Sequence, residues 1–370
     1  MTIAPSLPHV LDARENLLDL DPDAALTRLG QWFAEQGEPD YRSAQVFARM
    51  WQRPVASFDR ITELPKRLRE LLDASFSVGG LALEARQRSS DGTEKFLFRL
   101  DDGQLIETVA IPDDDRMTLC ISSQAGCALQ CAFCATGAMG FQRNLRPSEI
   151  AGQVRALRLL SPPILATNVV FMGMGEPFMN WPAVSTTLTL LNDPRALGIG
   201  ARHITVSTVG VLPGILALAE RPEQFRLAIS IHAPTDDLRR SLMPINIKYP
   251  LADVMAAAAA FDRRVTLEYV MLGGINDQPA HAAQLAGLAR VCRAFVNLIP
   301  LHPGGTLGFT PTTGPVIAAF ARALRGRGVE TAVRRSRGLD IAAACGQLRT
   351  ERLGRRLPIA ADQHGEIHVA

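Results

Sequence analysis

No apolar run in this 370-residue chain approaches the roughly 20 residues needed to cross a bilayer, so no membrane span is expected. The start, 1–15, lacks an apolar stretch preceded by positive charge; no secretory or transit segment is expected, and the chain reads as cytosolic. Excess charge of one sign is nearly absent, because 39 Lys and Arg face 37 Asp and Glu for a net +2. Any nucleic-acid binding must therefore come from local patches rather than from an overall basic surface. Cysteines number only six. In a cytosolic chain these are not expected to form structural disulfides, which turns them toward metal or catalysis. No internal repeat is strong enough to use. With 47% hydrophobic and 21% charged residues, the composition suits a globular protein that buries a core without covalent staples.

What is present begins as a helical, charged region. Leu26, Leu29 and Phe33 fall at helical spacing, as do Val46 and Met50, then Leu64, Leu68, Leu71 and Leu72. Gly37-Glu38-Pro39 and Arg53-Pro54 mark turns between them. From 76 to 111 the period changes to two, and 96–100 and 105–111 flank Asp101-Asp102-Gly103, which predicts a β-hairpin. Beyond it, strand patterns at 117–122, 168–172, 203–207, 226–231, 265–271 and 295–300 alternate with helical ones, and a last strand is expected over 329–333. Such alternation predicts an α/β fold with a parallel sheet covered by helices, curled into a closed or partial barrel. The expected organisation is a helical accessory domain over 1–75, a hairpin extension over 76–115, the barrel over 116–350 and a tail over 351–370.

The polar residues of the barrel gather after the strands. Three cysteines follow the first, Gly173-Met174-Gly175-Glu176-Pro177 follows the second, and Ser207 ends the third. Ser230 and His232 end the fourth, while Asn297 and His302 lie in and after the sixth. In a parallel barrel these strand ends share one face, and that face carries the chemistry. Cys127, Cys131 and Cys134 form C-x3-C-x2-C, a spacing at which thiolates can converge on a metal centre. Three thiolates leave a tetrahedral zinc one ligand short, whereas a four-iron cluster held by three keeps one iron open. Zinc with a distant fourth ligand and buried free thiols remain alternatives at this point.

The cysteine spacing, with Phe133 before the last cysteine, resembles the cluster signature of the radical S-adenosylmethionine (SAM) superfamily, and Gly173 to Pro177 resembles its contact to the methionine end of SAM. The stretches 118–127, 140–146, 242–246 and 344–348 narrow the resemblance to the RlmN/Cfr family of RNA adenine methyltransferases, closest to RlmN. The resemblance implies that the barrel is a partial (β/α)6, TIM-like one, with a [4Fe-4S] cluster on Cys127, Cys131 and Cys134, and SAM contacts from Gly175, Glu176, Ser207, Ser230, Ile231 and His232. It gives Cys345 the role of methyl carrier, Cys120 that of resolving thiol, and Glu107 that of proton acceptor. By pattern alone Glu107 is equally an exposed strand carboxylate, and Cys120 and Cys345 are buried thiols.

The implied reaction uses two SAM molecules per turnover. One methylates Cys345, and reductive cleavage of the other gives a 5′-deoxyadenosyl radical that takes a hydrogen from the S-methyl group. The methylene radical adds to the base, and Cys120 frees the product by forming a disulfide. An external reductant such as flavodoxin or ferredoxin is implied, with 23S rRNA and tRNA as substrates and a monomeric enzyme. At 302 the family usually has Asn where this chain has His302, which is expected to contact SAM still, although imidazole titrates near neutrality. Cys292 reads as core. Arg143, Arg146 and the Arg322–337 cluster are candidates for phosphate binding. Two other functions stay open: methylation at adenine C8, as Cfr members perform, and a noncatalytic RNA-binding protein holding zinc.

Overall fold

The computed structural model describes residues 14–302, 307–343 and 346–348. Near the N-terminus, Pro22–Glu35 (α1), Tyr41–Trp51 (α2) and Lys66–Ser75 (α3) form a helical unit. Asp21 starts α1 by accepting from the Asp23 and Ala24 backbone amides at 3.0 and 2.9 Å, with Pro22 preset in the first turn. The spacing of Leu29, Phe33, Phe47, Trp51, Leu68 and Leu72 puts them on one buried face.

This unit is docked by a buried arginine. From helix Pro147–Arg158, Arg155 donates to the Met50 and Val55 carbonyls at 2.8 and 2.6 Å. Burial pushes its guanidinium down to about 10. Such a cation is tolerated inside only because the backbone oxygens solvate it.

Ten strands form the main sheet, in unbroken chain order: Ala82–Arg88 (β1), Glu94–Arg99 (β2), Leu105–Asp113 (β3), Arg116–Cys120 (β4), Asn168–Phe171 (β5), Ile204–Thr208 (β6), Arg226–Ser230 (β7), Val265–Met271 (β8), Phe295–Pro300 (β9) and Thr331–Val333 (β10). Strands β4 to β10 run parallel, each joined to the next through helical crossovers, while β1 to β4 pair antiparallel. The expected strand–helix alternation is therefore present. The expected two-stranded hairpin is short by one strand: β1 carries Glu84, Arg86, Gln87 and Arg88 and shows no clean alternation. It is an edge strand, and Arg86–Glu94 and Arg99–Glu84 ion pairs lie across it.

After β10 the chain crosses from one sheet edge to the other. Ser89 Oγ donates to Asp340 at 2.5 Å, the Gly338 amide to Asp91 at 2.9 Å, and Arg337 to Asp113 at 3.2 Å. These contacts lace the open barrel to its own extension. No helix among the described residues is long and apolar enough to cross a membrane.

Candidate active site

The C-terminal strand ends surround a cavity of about 1020 Å³, counting its open mouth. Cys127, Cys131, Cys134, Gly175, Glu176, Ser207, Ser230 and His232 all line it, so eight residues read from the sequence meet in one place.

The cysteine loop is held at its base by a short antiparallel pair, Gln124–Gly126 with Phe141–Asn144. Gly126 is required there. Its φ is +75°, and a Cβ would stand 1.9 Å from the Gly140 carbonyl oxygen. Within the loop the Cys127 amide donates to Gly140 at 3.0 Å and the Ala132 amide to Leu242 at 2.9 Å. Burial pushes the Cys127 thiol up to about 11 and the Cys131 thiol higher still, and neighbouring thiolates and Glu176 add to both shifts. Buried thiolates that repel one another are stabilised by a cationic metal centre. Cys127, Cys131 and Cys134 line one wall of the cavity, and three thiolates are the soft donor set that an iron–sulfur centre takes. Phe133 packs edge-on against His232, with ring centroids 4.8 Å apart, and screens that side of the loop.

Opposite the cysteines, Glu176 accepts from the Val209 amide at 2.9 Å and the Phe178 amide at 3.2 Å. Its burial raises the carboxyl to about 7 despite those donors. His232 sits at φ +53°, and its Nδ1 accepts the Val270 amide at 3.0 Å. Below it, fully buried Arg239 donates to the Ile231 carbonyl at 3.3 Å, to Asn246 at 2.7 Å and to the Val209 carbonyl. Arg239 thereby joins the loops after β6 and β7.

Other residues named from the sequence lie elsewhere. Ile231 is buried beside the wall, and its amide donates to the Glu268 carbonyl at 3.0 Å. His302 is absent from the wall formed by the described residues; its Nε2 lies 3.2 Å from the Leu339 carbonyl. Cys345 lies outside the described residues, but Gly346 and Leu348 line the cavity. Ala135 donates its amide to the Gly346 carbonyl at 2.8 Å, and Thr136 its hydroxyl to the Leu348 carbonyl at 2.6 Å.

Cys120 and Glu107 do not touch the cavity, yet register places both on its inner face. Cys120 pairs with Val170, Val170 with Thr205, Ser207 with Ala228, and Ser230 with Glu268. Across the antiparallel seam Cys120 pairs with Val109, two residues from Glu107. Paired residues share a side and the side-chain period is two, so Cys120, Glu107, Ser207 and Ser230 all face inward. Both Cys120 and Glu107 are buried, which corrects the reading of Glu107 as an exposed strand carboxylate.

The arginines expected at the surface are largely engaged. Arg143 pairs with Asp102 and with Glu149 at 2.7 Å, and Arg146 with Asp101 at 2.9 Å. Arg325 caps the Thr331 carbonyl at 2.9 Å, and Arg334 acts on buried Glu268. Sequence reasoning missed Glu268 itself. It lines the cavity, accepts from Asn297 at 2.8 Å, and has its carboxyl raised by burial. The only signal was a lone acid inside an apolar strand.

A family model for the radical SAM superfamily matches residues 121–286, and one for the ribosomal RNA large subunit methyltransferase N-terminal domain matches residues 15–78. A protein of Gemmatimonas aurantiaca named probable dual-specificity RNA methyltransferase RlmN is 79% identical over 96% of this chain and 99% of its own length. Its namesake from Geobacillus kaustophilus is 44% identical, covering 88% of this chain and 91% of its own. The crystal structure of a radical SAM methyltransferase from Sphaerobacter thermophilus superposes with a TM-score of 0.84 at 43% identity, over 90% of this chain and 99% of that one.

Proposed function

The chain belongs to the RlmN family of radical SAM RNA methyltransferases, and from that premise we propose that it methylates C2 of adenine in 23S rRNA and in tRNA through a methylated Cys345. Family membership sets aside the noncatalytic zinc reading. It implies a 4Fe-4S cluster and SAM as cofactors. The observation that carries the finer reading is the convergence of three cysteines, Glu176, Ser207, Ser230 and His232 on one cavity, with Gly346 in the same wall. The N-terminal match favours C2 over C8 regiochemistry.

In this reading Cys127, Cys131 and Cys134 hold the cluster, which when bound supplies the electron that turns SAM into a hydrogen-abstracting radical. Gly175, Glu176, Ser207, Ser230, Ile231 and His232 seat SAM, and His302, outside the wall formed by the described residues, joins them only by leaving the Leu339 carbonyl. Cys345 carries the methyl group. Once its methylene carbon is bonded to the base, Cys120 attacks the Cys345 sulfur: an S–S bond forms, the C–S bond breaks, and the pair left on carbon takes a proton. Glu107 accepts the proton that leaves the ring carbon.

Two SAM molecules are consumed per turnover, and an external reductant of the flavodoxin or ferredoxin type serves a monomeric, cytoplasmic enzyme. The helical domain up to residue 75 binds RNA, the extension over 76–115 contributes Glu107, and the barrel over 116–350 holds the cluster, SAM and the two thiols; the expected tail over 351–370 lies outside the described residues. Nucleoside mass spectrometry of rRNA and tRNA tests this in a host lacking adenine C2 methylation, with the wild type compared against Cys345→Ala. Cys345-dependent 2-methyladenosine is expected; 8-methyladenosine would move the protein to the Cfr side, and no methylated adenine would overturn the substrate.

A further inference from the structure

On the inner face of the extension, Lys95 Nζ stands 3.0 Å from Glu107 Oε1, and the two side chains are only 11% and 4% exposed. No other ion pair among the described residues is so enclosed at both ends. The pair is diagonal across two strands: Lys95 lies opposite Val109, and Glu107 opposite Leu97. The same ammonium lies 3.5 Å from the Ala342 carbonyl, which it faces as donor, three residues before Cys345. A buried carboxylate that loses its counter-charge is strongly destabilised. An ammonium carries three donors, so one group can serve both a carboxylate and a carbonyl.

We propose that Lys95 is a positioning residue: it aims the Glu107 carboxylate at the reacting ring carbon and keeps it in register with the segment leading into Cys345. This rests on the reading of Glu107 as proton acceptor. In that step the radical adduct gives up one electron to a one-electron acceptor, the C–H bond of the ring carbon breaks with its electron pair staying in the ring to restore aromaticity, and the proton bonds to a Glu107 oxygen. Methyl transfer from SAM to Cys345 needs no such base. Lys95 therefore matters after Cys345 is loaded, not before.

The test compares Lys95→Met, Lys95→Arg, Glu107→Gln and the double variant Lys95→Met/Glu107→Gln. Four quantities are read: iron per chain, S-methyl occupancy of Cys345 by peptide mass spectrometry, single-turnover product, and RNA retained on denatured protein. Lys95→Met is expected to keep iron and Cys345 methylation while slowing product at least about tenfold, the scale of a misplaced proton acceptor, with RNA held covalently. Lys95→Arg should recover most of that rate. In the Glu107→Gln background, Lys95→Met should add nothing, because the two act as one unit.

Wild-type turnover by Lys95→Met beside a blocked Glu107→Gln overturns the role of Lys95 alone. Losses that multiply in the double variant also overturn it, as does loss of iron and Cys345 methylation in Lys95→Met, which would mark a structural lysine. Wild-type turnover by Glu107→Gln overturns the proton-acceptor reading, and this proposal with it.

Discussion

The backbone amide of Val270 donates to Nδ1 of His232 at 3.0 Å, so a strand of the barrel chooses the tautomer of a side chain in the cavity wall. With Nδ1 accepting, the ring proton sits on Nε2. Burial first, and the Arg239 charge second, push this histidine down to about 3. It stays neutral throughout the physiological range.

That shift has a pH signature. Between pH 6.5, where a free histidine takes its proton, and about 3, the unfolded chain binds a proton that the folded one refuses. Stability should therefore fall as pH drops through this window, by up to about 1.4 kcal/mol per unit. Thermal unfolding of the wild type between pH 7 and 5 should show a steeper loss of Tm than that of His232→Gln. Parallel slopes would mean that the ring protonates inside the fold.

Gly175 has φ +98°, and a Cβ there would lie 2.5 Å from that of Gln124. Gly175→Ala is expected to weaken SAM binding to the cluster-loaded protein by more than about tenfold and to cost about 1–3 kcal/mol of stability. Gly103→Ala, at a turn with φ +81° and no neighbour within 4 Å, is the control that shares the strain but not the crowding. Calorimetric titration separates them, and equal SAM affinities in the two variants would refute the crowding argument.

Arg155→Met removes the donors to the Met50 and Val55 carbonyls while keeping much of the side-chain volume. Two buried acceptors lose their partner, for an expected cost of about 2–4 kcal/mol. Denaturant unfolding should show the loss, and proteolysis should reach the segment between α2 and α3 sooner. A change below about 1 kcal/mol would show that apolar packing alone docks the helical unit.

Cys131→Ser replaces one thiolate of the cavity wall by a weak ligand. Anaerobically purified variant should lose most of its iron and its brown colour, whereas Cys292→Ser, outside the wall, should keep both. Full iron in Cys131→Ser would remove that cysteine from the ligand set.

Much of this was legible in the sequence because it is local. The C-x3-C-x2-C spacing puts Cys127, Cys131 and Cys134 in one loop whatever the rest of the chain does, and the strand–helix alternation places that loop beside Glu176, Ser207 and Ser230 at one end of a parallel sheet. The edge strand β1 escaped because its charged residues serve cross-strand ion pairs rather than a core, which erases the period-two signal.

What remained was decided by register and burial. Chain spacing does not reveal that Glu107 and Cys120 share an inner face, that Lys95 reaches Glu107 diagonally, or that Arg155 points into a domain interface. Nor does it show that Arg143 turns from solvent to Glu149. Covalent spacing determines which residues share a loop. Which residues meet across strands depends on a register that one residue of slippage would invert, and only the closed tertiary structure selects it.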